Sequence, residues 1–134
     1  MTVNIDITKE LKAVEKLIKS DINKEKTILG LYNYIFKSDG KKIRSRLNLI
    51  ASSSSKNSDR YKLASIIELL HTATLVHDDV VDNASTRRGA VSVNSLWSNA
   101  HGVLIGDYIY SKAFMLMVEI GKNDILAELA DATN

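Results

Sequence analysis

"RYKLASIIELLHTATLVHDDVVD", Arg60–Asp82, is the stretch on which the fold turns. Its apolar residues, among them Leu63, Ile66, Leu70, Ala73, Val76 and Val80, cover most of the circumference of a helix. A helix that is apolar nearly all round is buried, so the stretch predicts the central helix of a bundle. Its polar residues are ordered too. His71, Leu75, Asp78 and Asp82 fall within a narrow sector at about 100° per residue, with Glu68 one turn earlier and Asp79 rotated off the line. A polar stripe on a buried helix must face a cavity, a partner charge or a metal, because an uncompensated buried carboxylate is too costly.

The rest of the chain agrees with a helical reading. It has 134 residues, no proline and only 6 glycines, which favours long helices over strands and tight turns. The length suits one domain with a core of its own. With no cysteine there is neither a disulfide framework nor a thiolate metal site. The net charge of +2 points to no partner class, so electrostatic function must come from local clusters. The opening residues carry no signal-type apolar core. No apolar run approaches the roughly 20 residues that cross a bilayer. A cytoplasmic protein is the expectation.

Working outward, Ile7, Leu11, Val14 and Ile18 make one helical stripe over about 8–20, with Thr8 as its expected cap. A second helix is predicted over about 24–37, ending at Ser38-Asp39-Gly40. A third starts near Lys41 and should carry Ile43, Leu47 and Ile50 inward. Residues 52–59 and 83–95 read as loops. A further apolar helix runs to about Ile120, with Gly102 and Gly106 four apart to permit close packing. "GKND" breaks it, and a last helix starts near Asp124.

Asp78 and Asp82 stand one turn apart, and two such anions repel unless a cation sits between them. Hard oxygen donors without cysteine favour Mg²⁺, which prefers to share its shell with substrate phosphates. Arg87 and Arg88 follow closely, and "KSDGKKIRSR" supplies Lys41 and Arg44, expected on one face of a helix start. Guanidinium forks grip phosphate oxygens. One group would thus be held through Mg²⁺ and a second directly by Lys and Arg. The 41–46 run lacks interleaved aromatics, which argues against nucleic acid.

These motifs are familiar together. "HDDVVDNASTRRG" resembles the first aspartate-rich region of the trans-prenyltransferases, the polyprenyl diphosphate synthases. "DGKKIRSRL" resembles that family's GGK-x-x-RP-x-L motif, "ELLHTATLVHDD" the helix leading into the aspartates, and "LIGDYIYSKAF" a later GD-[FY] helix. All four occur in the family's order. The resemblance implies an all-α bundle, the N-terminal part of the isoprenoid synthase fold, and condensation of an allylic diphosphate with isopentenyl diphosphate. It implies that Asp78 and Asp82 hold Mg²⁺ with support from Asp79, that Arg87 contacts the allylic diphosphate, and that Lys41, Arg44, His71 and Arg88 bind isopentenyl diphosphate. Ala73, with Thr74 beside it, would leave the product channel open, as in synthases of long chains. A homodimer or higher association is implied as well.

Asp39 stands where the family has glycine and Ser45 where it has proline. Family members are more than twice as long, and their second aspartate-rich motif would lie beyond Asn134. The chain is therefore expected to be an N-terminal portion, inactive alone. Two rivals remain. His77-Asp78 on a helix suits an HD-type metal phosphohydrolase, although that site needs a histidine upstream of His71 and none is present. A non-catalytic subunit of a heteromeric synthase would ordinarily lack the intact aspartate motif.

Overall fold

The computed structural model describes residues 6–37 and 40–134. Helix α1 (Thr8–Lys19) buries the stripe read from the sequence: Ile7, Leu11, Val14 and Ile18 all lie in the core. Its cap is not Thr8. Asp6 accepts the Thr8 N–H at 2.9 Å, so the carboxylate two residues earlier satisfies the helix start. Helix α2 (Lys26–Phe36) is capped by Glu25, whose carboxylate accepts from the Ile28 N–H, and buries Leu31 and Tyr32. The expected stop at Ser38 and Asp39, and with it the Asp39 that stands where the family has glycine, lies outside the described residues.

Helix α3 (Ile43–Ala51) starts two residues later than expected and turns a different face inward. Ser45 and Leu49 are buried, whereas Ile43, Leu47 and Ile50 are exposed. The hydroxyl of Ser45 lies between the Ala64 carbonyl (3.1 Å) and the Glu68 carboxylate (3.0 Å), so polar anchoring to the next helix decides the rotation. Helix α4 (Asp59–Val81) is the predicted central helix. It packs against α1 and α3 on one side and against α6 (Asn99–Ile120) on the other. Arg60 knots three elements: it donates to Glu10 on α1 at 2.7 Å, to the Leu49 carbonyl of α3 at 2.8 Å, and to Ser52 at 3.1 Å.

Small residues set the α4–α6 separation, as the Gly102–Gly106 spacing suggested. A Cβ on Gly106 would stand 2.2 Å from the His77 ring, and one on Gly102 would stand 2.6 Å from Val80. The carboxyl end of α1 is fastened from α6: Lys112 donates to the Ser20 carbonyl, and the Tyr108 hydroxyl accepts the Asn23 N–H at 2.8 Å.

The expected loop after α4 contains structure. Strands β1 (Thr86–Arg87) and β2 (Ala90–Val91) pair antiparallel around Arg88-Gly89, and a short helix α5 (Val93–Leu96) follows. Arg88 (φ 51°) and Gly89 (φ 79°) are both left-handed, the signature of a type I′ turn. Two-residue strands are too short to show a period of two, which is why the pattern missed them. Gly121 (φ 66°) ends α6, and α7 (Asn123–Thr133) leans Ile125, Leu126 and Leu129 on the core. Among the described residues no helix is long and apolar enough to cross a membrane.

Candidate functional site

A cavity of about 210 Å³ opens between the ends of α1 and α2, the start of α3, the second half of α4 and the hairpin. Its charged lining includes Lys42, Glu68, His71, Asp79, Arg87 and Arg88, set against apolar side chains such as Ile18, Phe36, Leu75 and Val76. The predicted stripe on α4 divides here. His71 lines the cavity. Asp78 and Asp82 are exposed, and Asp79, off the line in the helical reading, is the buried carboxylate.

Asp79 and Arg87 form a two-point pair. Arg87 donates through Nη2 to Oδ1 at 2.6 Å and through Nε to Oδ2 at 3.3 Å. The Asp79 hydrogen bond, aided by the charges of Asp79, Asp78 and Asp82, holds the guanidinium more firmly protonated than usual. The backbone reinforces the pairing: the Asp79 carbonyl accepts from the Ala84 N–H at 2.9 Å, and Asn94 bridges the Asp79 and Ala84 carbonyls. The turn from α4 into the hairpin is thus built around Asp79. Tyr34 ties the far strand to α2 by donating to the Val91 carbonyl at 2.6 Å.

Arg88, at the hairpin tip, lies over Gly40. A Cβ there would meet its guanidinium at 2.7 Å, so glycine at 40 lets the α2–α3 connection and the hairpin approach each other. Arg44 reaches back from α3 to α4, with Nη1 3.1 Å from Nε2 of His71. Lys41 is exposed and precedes α3, whereas Arg44 lies within it. Lys42 intervenes in the left-handed conformation (φ 51°) and turns into the cavity, donating to Glu15 at 2.6 Å. That hydrogen bond holds the Glu15 carboxyl below its ordinary range. Glu15 escaped the sequence reading, which held Lys42 only as one member of the basic run and gave it no place in the site. The left-handed kink that aims Lys42 has no periodic signature.

Asp78 and Asp82 have the donor chemistry for a hard cation. Both carboxylates are exposed one turn apart, and among the described residues neither makes a side-chain hydrogen bond or ion pair. Also among the described residues, no three His, Cys, Asp or Glu side chains converge, so the pair offers a half-shell suited to an ion that keeps water or phosphate oxygens. His77 points elsewhere. It lies against α6, 3.2 Å from the Val103 carbonyl and 3.3 Å from Asp107, which separates it from Asp78 and removes the ligand pair a phosphohydrolase would need. Ala73 is fully buried, and the Thr74 hydroxyl donates to the His71 carbonyl at 2.7 Å. Neither lines the cavity.

The sequence model of the family described as "Polyprenyl synthetase" matches residues 5–134. The chain belongs to this family. It is 38% identical to the octaprenyl diphosphate synthase of Haemophilus influenzae, across 93% of this chain and 39% of that protein. It is 33% identical to the octaprenyl diphosphate synthase of Escherichia coli, across 98% of this chain and 42% of that protein. Among solved structures it superposes with a TM-score of 0.89 on a decaprenyl diphosphate synthase from Rhodobacter capsulatus, at 34% identity over 95% of this chain and 40% of that one. A polyprenyl synthase from Caulobacter crescentus, complexed with calcium and isoprenyl diphosphate, gives the same TM-score at 35% identity, over 95% of this chain and 40% of that one. This polyprenyl synthetase chain therefore has the isoprenoid synthase fold and spans about two fifths of the length of these relatives.

Proposed function

We propose that this chain forms the aspartate-bearing wall of a polyprenyl diphosphate synthase. The observation that carries the reading is the cavity that gathers His71, Arg87, Arg88 and Lys42 with Asp79, on the helix end that also bears the exposed pair Asp78 and Asp82. Asp78 and Asp82 are the residues to hold Mg²⁺, with Asp79 keeping Arg87 in place. Bound there, Mg²⁺ would neutralise charge building on the departing diphosphate. Arg87 faces the allylic diphosphate, while Lys41, Arg44, His71 and Arg88 take isopentenyl diphosphate, with Lys42 as a further cation at that end.

In the condensation the allylic C–O bond breaks, a C–C bond forms from the double bond of isopentenyl diphosphate, and a proton leaves. The two sets of groups keep both diphosphates oriented through those changes. The small side chain at Ala73, with Thr74 beside it, favours a long product, in keeping with relatives named for octaprenyl and decaprenyl chains. The companion of this wall is a further part of a synthase, with a second copy as partner, and the compartment is the cytoplasm.

Calorimetry with inorganic diphosphate tests the reading. Mg²⁺ should strengthen binding about tenfold or more, a gain of about 1.4 kcal/mol, and Asp78→Ala or Asp82→Ala should erase that gain. Binding indifferent to both Mg²⁺ and these substitutions would sink it.

A further inference from the structure

The contact between Arg44 and His71 fixes more than proximity. A guanidinium carries only donors and stays protonated throughout the accessible pH range. Nε2 of His71, 3.1 Å from Nη1 of Arg44, must therefore present a lone pair. The imidazole is then neutral, with its one proton on Nδ1. An imidazolium would turn an N–H toward the guanidinium and expel it.

We propose that His71 is a positioning residue: as a neutral imidazole it accepts the Arg44 hydrogen bond at Nε2, keeps its proton on Nδ1, and so fixes the guanidinium that takes the anion. The inference rests on the reading of this cavity as a diphosphate site only for the last step. The surroundings are consistent with it. Burial and the charge of Arg44 lower the His71 pKa, Arg88 and Arg87 of the hairpin act in the same direction, and Glu68 of α4 alone opposes them. Glu68 is itself held by the buried Ser45 hydroxyl, beside Arg44 on α3. Ser45 thereby locks the register of α3 on α4 that brings Arg44 to the ring. His71 is thus a hydrogen-bond acceptor within a ring of cations, and not one cation among them.

Two measurements on the 134-residue chain decide this. Nitrogen-15 chemical shifts of the His71 ring near neutral pH should show a protonated Nδ1 and a bare Nε2, and Arg44→Met should abolish that preference and raise the His71 pKa. In calorimetry with inorganic diphosphate, His71→Gln, which retains an acceptor, should bind more weakly than the unsubstituted chain but more tightly than His71→Lys. His71→Lys should bind about tenfold more weakly than the unsubstituted chain despite its added positive charge, since an ammonium offers Arg44 no acceptor and repels it. A protonated Nε2 in the unsubstituted chain, a tautomer unmoved by Arg44→Met, or a lysine variant that binds as tightly would overturn the proposal. If the unsubstituted chain fails to bind diphosphate, the site reading falls, and the ring tautomer still decides the inference.

Discussion

Three aspartates share the end of α4 and meet two different conditions. Asp78 and Asp82 are solvated, and each can lose its carboxylate without leaving a partner buried and unmatched. Asp79 is 5% exposed and receives both Arg87 hydrogen bonds. Arg87 itself is 40% exposed at its side chain, which tempers the cost of breaking the pair. Asp79→Ala should therefore destabilise the chain by about 1.5–3 kcal/mol, the range for a hydrogen bond to a charged group. Asp78→Ala and Asp82→Ala should stay within about 0.5 kcal/mol, as for exposed positions. Urea unfolding separates the two classes, and equal losses at Asp78 and Asp79 would show that burial does not distinguish them. The same contrast explains how far the site was legible. The DDxxD spacing placed all three on one helix turn, but helical geometry alone could not tell that Asp79 would be recruited inward by the chain that follows.

At the scale of elements, contact between α4 and α6 depends on a notch rather than on large side chains. Gly106 accommodates the His77 ring, which is held in turn by the Val103 carbonyl and Asp107. Gly106→Ala should force the ring out or the helices apart, at about 1–3 kcal/mol as for other overpacked sites. The drop should be visible in thermal unfolding, and an unchanged melting temperature would show that His77 yields freely. Helices whose apolar stripe faces one neighbour were legible: α1 follows Ile7, Leu11, Val14 and Ile18 without exception. Helix α3 was not, because Ile43, Leu47 and Ile50 form an equally good stripe on the wrong side. Its orientation is set by the Ser45 and Arg60 hydrogen bonds, which a hydrophobic pattern cannot register. The hairpin was missed for a different reason. Its strands have two residues each, and only the left-handed pair Arg88-Gly89 defines it.

For the molecule as a whole, the apolar surface is unevenly distributed. Phe114, Met115 and Val118 on the outer face of α6 are 57%, 67% and 76% exposed, and Ile43 and Leu47 on α3 add a second patch. Contiguous exposed apolar patches of this kind mark association surfaces. The chain should associate at micromolar concentration, and Phe114→Glu with Val118→Lys should reduce that association. Light scattering checks both, and a clean monomer before substitution would count against it.

The anchoring of the α1–α2 corner sets an order of events in time. Asn23 is held by Tyr108, 85 positions later, and Ser20 by Lys112, 92 positions later. A ribosome adding about 5–20 residues per second needs on the order of 4–18 s to cross that interval. Late in it, once α3 and α4 have been made, α1 has its apolar stripe and its partners on those helices but no closure at its carboxyl end. The wall of the cavity formed by Ile18 and Lys19 therefore acquires its final position last, when α6 emerges and its lysine and tyrosine reach back to the nascent beginning of the chain.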